Sequence, residues 1–317
     1  MAGRSEAVQY EHTPGADITK IAKHHCNPHK LFLNLVRELR AVRVSMVVDV
    51  FSRCCTACKM DHNVSAKLYP AILANQIMQT INEKLEGEVF GRLEVVSDER
   101  FPDEQYIVLA WPAANQATTN HLKVVSPAES KFFYELIGKM FAEDNEQRGE
   151  VPIMDATLLG VENGEFKPAQ SEEFLHKLVR DAVFTQHDER ETYSLHPKAV
   201  LEFQTVLINQ GYNIPTCPVC RKLIVLRRTS TTCTTCNTEI HNMCIHRMVE
   251  KSDRKVPCPG APITGGRCKN KYDEAFAADL YFDDPIVLDL HTPEVVESDK
   301  RAATVEPGAS SDVSMSD

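Results

Sequence analysis

Seven of the eleven cysteines crowd into one stretch of the 317-residue chain: Cys217, Cys220, Cys233, Cys236, Cys244, Cys258 and Cys268. With His241 they read C-x2-C-x12-C-x2-C-x4-H-x2-C-x13-C-x9-C. A two-residue gap on a tight knuckle aims two side chains at one ion, and a tetrahedral zinc takes four such ligands. Eight ligands therefore make two sites. Three pairs at this spacing within 28 residues have few accidental explanations. Residues 215–272 are rich in Lys, Arg, Thr and Pro and too short to build a sufficient apolar core. Two structural zinc ions, each contributing roughly 10–16 kcal/mol of apparent binding free energy, would supply the missing stability.

Other reactive side chains carry weaker signals. His24, His25, Cys26 and His29 form one cluster, read either as a metal site or as chance histidines near a flexible start. Cys54, Cys55, Cys58 and His62 form a second, read either as a third zinc site or as thiols on a helix, two buried and one exposed. His246 is a spare nitrogen beside Cys244 and reads as a surface histidine. The chain has no GxSxG, P-loop or HExxH pattern.

The elements that must position these residues follow from apolar periodicity. Residues 1–28 are polar, with Pro14, Gly15 and Pro28, and are expected to be disordered. Leu31, Leu35 and Leu39 form a helical stripe. Helices are expected at 44–55 and 65–85, the latter with Ile72, Leu73, Ile77 and Ile81 on one face. Residues 90–96 and 106–111 read as two strands. Three helices and a hairpin is the order of a winged helix. The pattern repeats: helices around Phe132–Phe141, Met154–Leu159 and Phe174–Val183, then strands at 184–185 and 193–195. A last helix over 197–209 leads into Cys217.

The formal charge is −10, unevenly distributed. Residues 273–317 carry 12 acids and two bases, and have the composition of a disordered tail. Residues 215–272 are +8 and residues 1–214 are −8. Affinity for duplex DNA comes largely from neutralised phosphates, so the acidic body reads as a protein-docking platform. In the basic segment, Arg221, Lys222, Arg227, Arg228, Lys251, Arg254 and Lys255 form either a contact for DNA or an acidic partner, or a solvated face. No apolar run reaches the length of about 18 residues that a membrane span needs, and residues 1–20 lack the apolar region of a secretory signal. Reduced thiols or metal ligands are therefore expected rather than disulfides.

The ligand order of four Cys, one His and three Cys resembles two families, the PHD finger and the variant RING finger. A PHD finger usually has Trp two residues before its seventh ligand. Val256 stands there, and the sole tryptophan is Trp111, so the RING variant is favoured. In both families ligand pairs one and three share an ion, as do pairs two and four. This implies one zinc on Cys217, Cys220, His241 and Cys244, and another on Cys233, Cys236, Cys258 and Cys268. The nine-residue spacing of the last pair departs from the usual two; the glycines among those nine residues would let the loop bulge outward.

The order of modules resembles the first non-SMC element, the RING-bearing subunit of the Smc five/six complex. The resemblance covers about Lys30 to Asn270. Its most specific stretch is Tyr212 to Cys258, with CPVC, CTTC and EIHNMC; IVLAWP and SLHPKAVLEF look like the wing and exit helix. The fold class expected is α+β: winged helices at 29–115 and 125–212, a variant RING finger at 213–272, and the acidic tail. The resemblance implies a ubiquitin-protein ligase subunit acting in DNA repair in the nucleus, docked to a MAGE-type subunit and near a kleisin subunit. Such a ligase has no catalytic nucleophile. It orients a charged ubiquitin-conjugating enzyme, a contact the resemblance places at Val219 and Pro259, with Lys269 near ubiquitin; Ile245 and Met248 read either as lining the same groove or as core. The competing expectation is a non-catalytic scaffold whose zinc finger stabilises docking to the MAGE-type partner. In the tail, Ile286 to Leu290, flanked by acids, looks like a SUMO-interacting motif or a segment docking back on the chain.

Overall fold

Apolar side chains recurring every three to four residues draw the helices together around two separate cores. The structure, a computed structural model, describes residues 14–85, 91–101, 103–110, 126–162, 166–252, 255–261 and 266–280. It is a mixed α and β protein. Among the described residues no helix is long and apolar enough to cross a membrane.

The first core begins earlier than the sequence suggests. Strand β1 (Ala16–Asp17) pairs in parallel with β3 (His62–Asn63), and helix α1 (Ile18–Ala22) buries Ile18, Ile21 and Ala22. Residues 14–28 are thus part of the fold, not disordered. The island is only five residues long, and it becomes core because α4 (Pro70–Leu85) packs across it, with Thr80 Oγ1 donating to the Ala22 carbonyl at 2.8 Å. Helix α2 (Asn27–Leu39) starts on Cys26, with Pro28 in its first turn. Its inward face is His29, Phe32 and Val36, whereas Leu39 is 59% exposed. The leucine stripe is one step out of phase, because α3 (Val47–Ala57) presents Phe51 to the face carrying Phe32. Ile72 likewise faces out, while Leu73, Ile77 and Ile81 face in.

Strands β4 (Arg92–Ser97) and β5 (Gln105–Ala110) form the expected hairpin, paired from Arg92↔Ala110 to Ser97↔Gln105. The third strand, β2 (Ala41–Arg43), was not legible. Three residues between two helices carry no alternation, and β2 exists only because it lies against β5. The second core repeats this topology. Helix α5 (Pro127–Met140) opens with a capping box from Ser126 and Glu129. Next come β6 (Glu150–Pro152), α6 (Ile153–Glu162), α7 (Pro168–Arg180), β7 (Phe184–His187) and β8 (Thr192–Leu195). Sheet orders are β2-β5-β4 and β6-β8-β7, so each module contributes an edge strand from between two of its helices, α2 and α3 in the first and α5 and α6 in the second. Phe132, Phe133, Phe174, Phe184 and Phe203 fill the second core. Phe203 arrives from α8, which spans Pro197–Asn209.

Residues 223–226 stitch the second core to a third. Leu223 and Val225 turn into the second core, and Ile224 into that of the cysteine-rich region. Hairpin β9 (Ser230–Thr232) and β10 (Glu239–His241) runs into α9 (Asn242–Glu250). Strands β11 (Val256–Pro257) and β12 (Lys271–Tyr272) then pair, and α10 (Glu274–Ala278) follows. The acidic tail therefore does not begin at 273. Asp273 caps α10 through the Phe276 amide, and Tyr272 and Ala277 are buried in the third core. Residues 281–317, including Ile286 to Leu290, lie outside the described residues. Tyr272→Ala is expected to destabilise the cysteine-rich region by about 3 kcal/mol or more, the cost of truncating a buried aromatic. Hydrogen exchange on amides of 215–280 in the variant would measure it.

Candidate metal centre

The two C-x2-C pairs sit on the same small turn. The Cys217 carbonyl accepts from the Arg221 amide at 2.8 Å, and the Cys217 amide donates to the Lys222 carbonyl at 2.9 Å. The Cys233 carbonyl accepts from Asn237 and the Cys233 amide donates to Thr238, both at 2.9 Å. In both turns the residue after the second cysteine is left-handed, Arg221 at φ 61° and Asn237 at φ 55°. Amide donors turned inward in this way leave both sulfurs of a pair on one side of the turn.

The rest of the fold decides which pairs meet. The Cys233–Cys236 knuckle rides at the tip of the β9–β10 hairpin. His241 ends β10 and Cys244 lies in the first turn of α9, so the hairpin returns these two to the first knuckle. The β11–β12 pairing closes the nine-residue gap. The Cys258 amide donates to the Asn270 carbonyl at 2.9 Å, and the Cys268 amide to Gly260 at 3.2 Å. Four of the nine residues of the intervening loop, 262–265, lie outside the described residues.

Two clusters result: Cys217, Cys220, His241 and Cys244, and Cys233, Cys236, Cys258 and Cys268. The ligand atoms of each lie within 4.8 Å of one another. Sulfurs about 2.3 Å from one tetrahedral ion lie about 3.8 Å apart. The Cys233–Cys268 and Cys236–Cys258 sulfurs are each 3.7 Å apart, far too long for disulfides. In the first cluster His241 turns Nδ1 inward, 3.3 Å from Cys220 Sγ and 3.9 Å from Cys244 Sγ. Contacts among the three thiols hold the Cys217 thiol far below its ordinary value and push that of Cys244 well above it, so these thiols share protons as one unit. Around the second cluster, Asn270 Nδ2 points at Cys233 Sγ at 3.4 Å, and Tyr272 Oη at Cys258 Sγ at 3.6 Å. The Gly260 amide faces Cys258 Sγ at 3.4 Å. A Cβ on Gly260 would come within 2.3 Å of Thr238 Oγ1 and 2.7 Å of Cys236 Sγ. The donors, spacings and glycine cradle fit one tetrahedral ion per cluster.

The other cysteines and histidines are placed differently. Cys54 and Cys55 are buried in the first core, where burial pushes their thiols up to about 11 and about 12, so they are protonated. His29 is fully buried, bonding the Ala22 carbonyl at 3.0 Å and Cys26 Sγ at 3.3 Å, and burial lowers it to about 4. His62 bonds Ser52 Oγ and the Met60 carbonyl. His246 lies half-buried on α9, outside both clusters.

Of the surface residues, Val219 is 39% exposed between the first two ligands. Pro259 and Lys269 are exposed, and Met248 is half-buried. Ile245 is a correction: it is fully buried in the third core and offers no surface to a partner. Its helix turns that position inward beneath the ligands, a phase the sequence could not distinguish from a groove-lining one.

Ion pairs tie the basic segment to the body and to its own C-terminal flank. Arg148 pairs with Glu239 and also donates to the Ile224 carbonyl at 3.3 Å. Arg228 pairs with Glu150 at 2.8 Å and Arg247 with Asp103 at 3.0 Å. Lys255 pairs with Asp273 at 2.8 Å. Arg221, Lys222, Arg227 and Lys251 remain exposed; Arg254 lies outside the described residues. Sequence reasoning missed Glu99 entirely. Its carboxylate accepts from the Val225 and Leu226 amides, both at 3.0 Å, and approaches His241 Nε2 at 3.8 Å. Nothing in the local pattern of a hairpin tip marks it.

No family model and no curated protein sequence matches the chain. Among solved structures, one chain of a structure described as the "Nse1-Nse3-Nse4 complex" shares the fold, with a TM-score of 0.60. The identity is 19%, and the match covers 78% of this chain and 97% of that one. At that identity the likeness is one of fold.

Gly260→Ala is expected to open the second cluster, because neither the Cys236 sulfur nor the Thr238 side chain on the facing knuckle can yield without moving the turn. Titration with a thiol reagent should find Cys233, Cys236, Cys258 and Cys268 reactive in the variant and protected in the parent chain.

Proposed function

We propose that this chain is a RING-type ubiquitin ligase subunit of an SMC-type genome-maintenance complex. The observation that carries the proposal is the interleaving of the two clusters, first pair with third and second with fourth, on a chain that shares its fold with a component of an Nse1-Nse3-Nse4 assembly. On this reading each helix-rich module with its three-stranded sheet is a winged helix, spanning about 29–115 and 125–212, and the finger begins at 213. The ion in each cluster is zinc. Its contribution is a structural cross-link: thiolate and imidazole ligands drawn from distant chain segments hold the finger in one shape.

The reaction needs no nucleophile from this chain. A conjugating enzyme carries ubiquitin as a thioester on its own cysteine, and the finger favours an orientation in which a substrate lysine can attack. That is catalysis by positioning. Val219 is the aliphatic contact we assign to the conjugating enzyme, supported by its exposure at the tip of the first knuckle. Pro259 and Met248 extend that surface, with Lys269 toward ubiquitin. The partners are the MAGE-type and kleisin subunits of such a complex, the setting is the nucleus, and the role is in DNA repair and recombination. A SUMO contact through Ile286 to Leu290 belongs to the same proposal.

A second reading, a scaffold without ligase activity, is favoured by the buried ion pairs that tie the finger to the body, Arg148–Glu239 and Arg228–Glu150. A mobile catalytic module would not need them. One set of measurements separates the two. The purified chain with its MAGE-type partner should bind two zinc ions per chain and accelerate ubiquitin discharge from at least one conjugating enzyme over a Cys217→Ser control. Val219→Ala should slow that discharge by about tenfold, the loss expected for an interface residue worth about 1.4 kcal/mol, with partner binding unchanged. If no conjugating enzyme responds while partner binding and two zinc ions persist, the scaffold reading stands. Chelation should unfold 215–280 and leave the first core intact, which hydrogen exchange on α2 and α3 would register.

A further inference from the structure

The first cluster has an outer partner that comes from the far end of the sequence. His241 uses Nδ1 toward the three cysteines, which leaves Nε2 on the opposite side of the ring. That nitrogen is buried and has no hydrogen-bond partner. The side chain nearest to it in charge is Glu99, at the tip of the β4–β5 hairpin and 142 positions away in the chain. The 3.8 Å gap is longer than a hydrogen bond and too short to admit a bridging water. The carboxylate itself is held firmly, by the amides of Val225 and Leu226 and by Thr229 Oγ1 at 3.3 Å. It is 17% exposed and His241 is 9% exposed, so water competes little for either.

From this juxtaposition we propose that Glu99 is a positioning residue for the metal centre. It takes the Nε2 proton of His241 in a hydrogen bond, fixes the tautomer with Nδ1 free to ligate, and so couples the first cluster to the docking of the β4–β5 hairpin. A ligating imidazole commonly donates its second nitrogen to a carboxylate, and losing that partner costs about 10- to 100-fold in metal affinity. The same carboxylate also clamps residues 225–229. Ion and hairpin are therefore linked, and each tightens the other by the same factor. The sulfurs of the second cluster take their hydrogen bonds from Gly260, Asn270 and Tyr272 instead, and this cluster lies outside the linkage. The inference rests on the metal reading above and deepens it.

The test uses the full chain loaded with cadmium, whose NMR signal separates a three-cysteine, one-histidine site from a four-cysteine site. Release to a chelator is followed at both signals for the parent chain, Glu99→Gln and Arg100→Gln. Arg100 holds the same hairpin tip through Asp98 and His187. The expected result is release from the mixed site about 10- to 100-fold faster in Glu99→Gln, with the four-cysteine site unchanged and Arg100→Gln accelerating the mixed site by a smaller factor, since it loosens the hairpin but leaves the acceptor of the imidazole in place. The His241 Nε2 proton signal should move upfield or vanish by exchange in Glu99→Gln alone. Equal acceleration at both sites, the same acceleration in Arg100→Gln, or no change in the mixed site overturns the assignment of Glu99 while leaving the metal reading intact. A parent chain that takes up no ion overturns the metal reading itself, and this inference with it.

Discussion

The region from Pro215 to Leu280 has too little apolar material to hold itself together, and everything else about the molecule is arranged around that deficit. Its core is Ile224, Ile240, Ile245, Val249, Tyr272 and Ala277, with sulfur filling much of the remaining space. With a metal ion in each, the two clusters would replace what a larger domain obtains from leucine and phenylalanine. Because ligand pairs alternate between clusters along the chain, neither closes on a purely local segment. Each closes a loop around part of the other, so the entropy lost in bringing distant segments together is offset at two points. The β9–β10 hairpin and the β11–β12 pairing are the backbone devices that make this alternation possible.

The second support is electrostatic and runs between the finger and the body. A stretch of net +8 faces a body of net −8, and some of that difference is expressed as contact. Arg228 of the finger meets Glu150 of the body in that sense, Arg148 of the body meets Glu239 of the finger in the opposite sense, and Glu99 gathers two backbone amides. Buried pairs of this kind add little net stability, because the cost of desolvating both charges nearly cancels their attraction. They do fix orientation, since a shifted partner would strand a charge. The interface thus holds the finger at a set angle to the two repeated modules, which suits either a ligase that must aim or a scaffold that must not flex.

Much of the architecture was legible because it depends on local pattern. The helix over 197–209, the β4–β5 hairpin and the phenylalanine stripe of α5 follow directly from side-chain periodicity. Elements decided by neighbours were not legible. The strands Ala41–Arg43 and Glu150–Pro152 are three residues each and exist only as edges of sheets formed by later segments. Residues 16–22 look like part of a polar leader until α4 covers them, and Glu274–Ala278 looks like an acidic tail until Tyr272 anchors it.

By itself the sequence picked out the eight cysteine and histidine side chains that gather into two clusters, because only the spacing of side chains on short turns is needed for that. The pairing of the turns came from a likeness of ligand order rather than from the spacing. The tertiary structure alone decided that Ile245 faces inward, that the nine-residue loop is pinned by Gly260 and Asn270, and that Glu99 stands behind His241. The physical reason is range. A knuckle is a property of four or five consecutive residues, whereas the partner of an imidazole's second nitrogen is set by how a hairpin packs against a finger more than a hundred residues downstream.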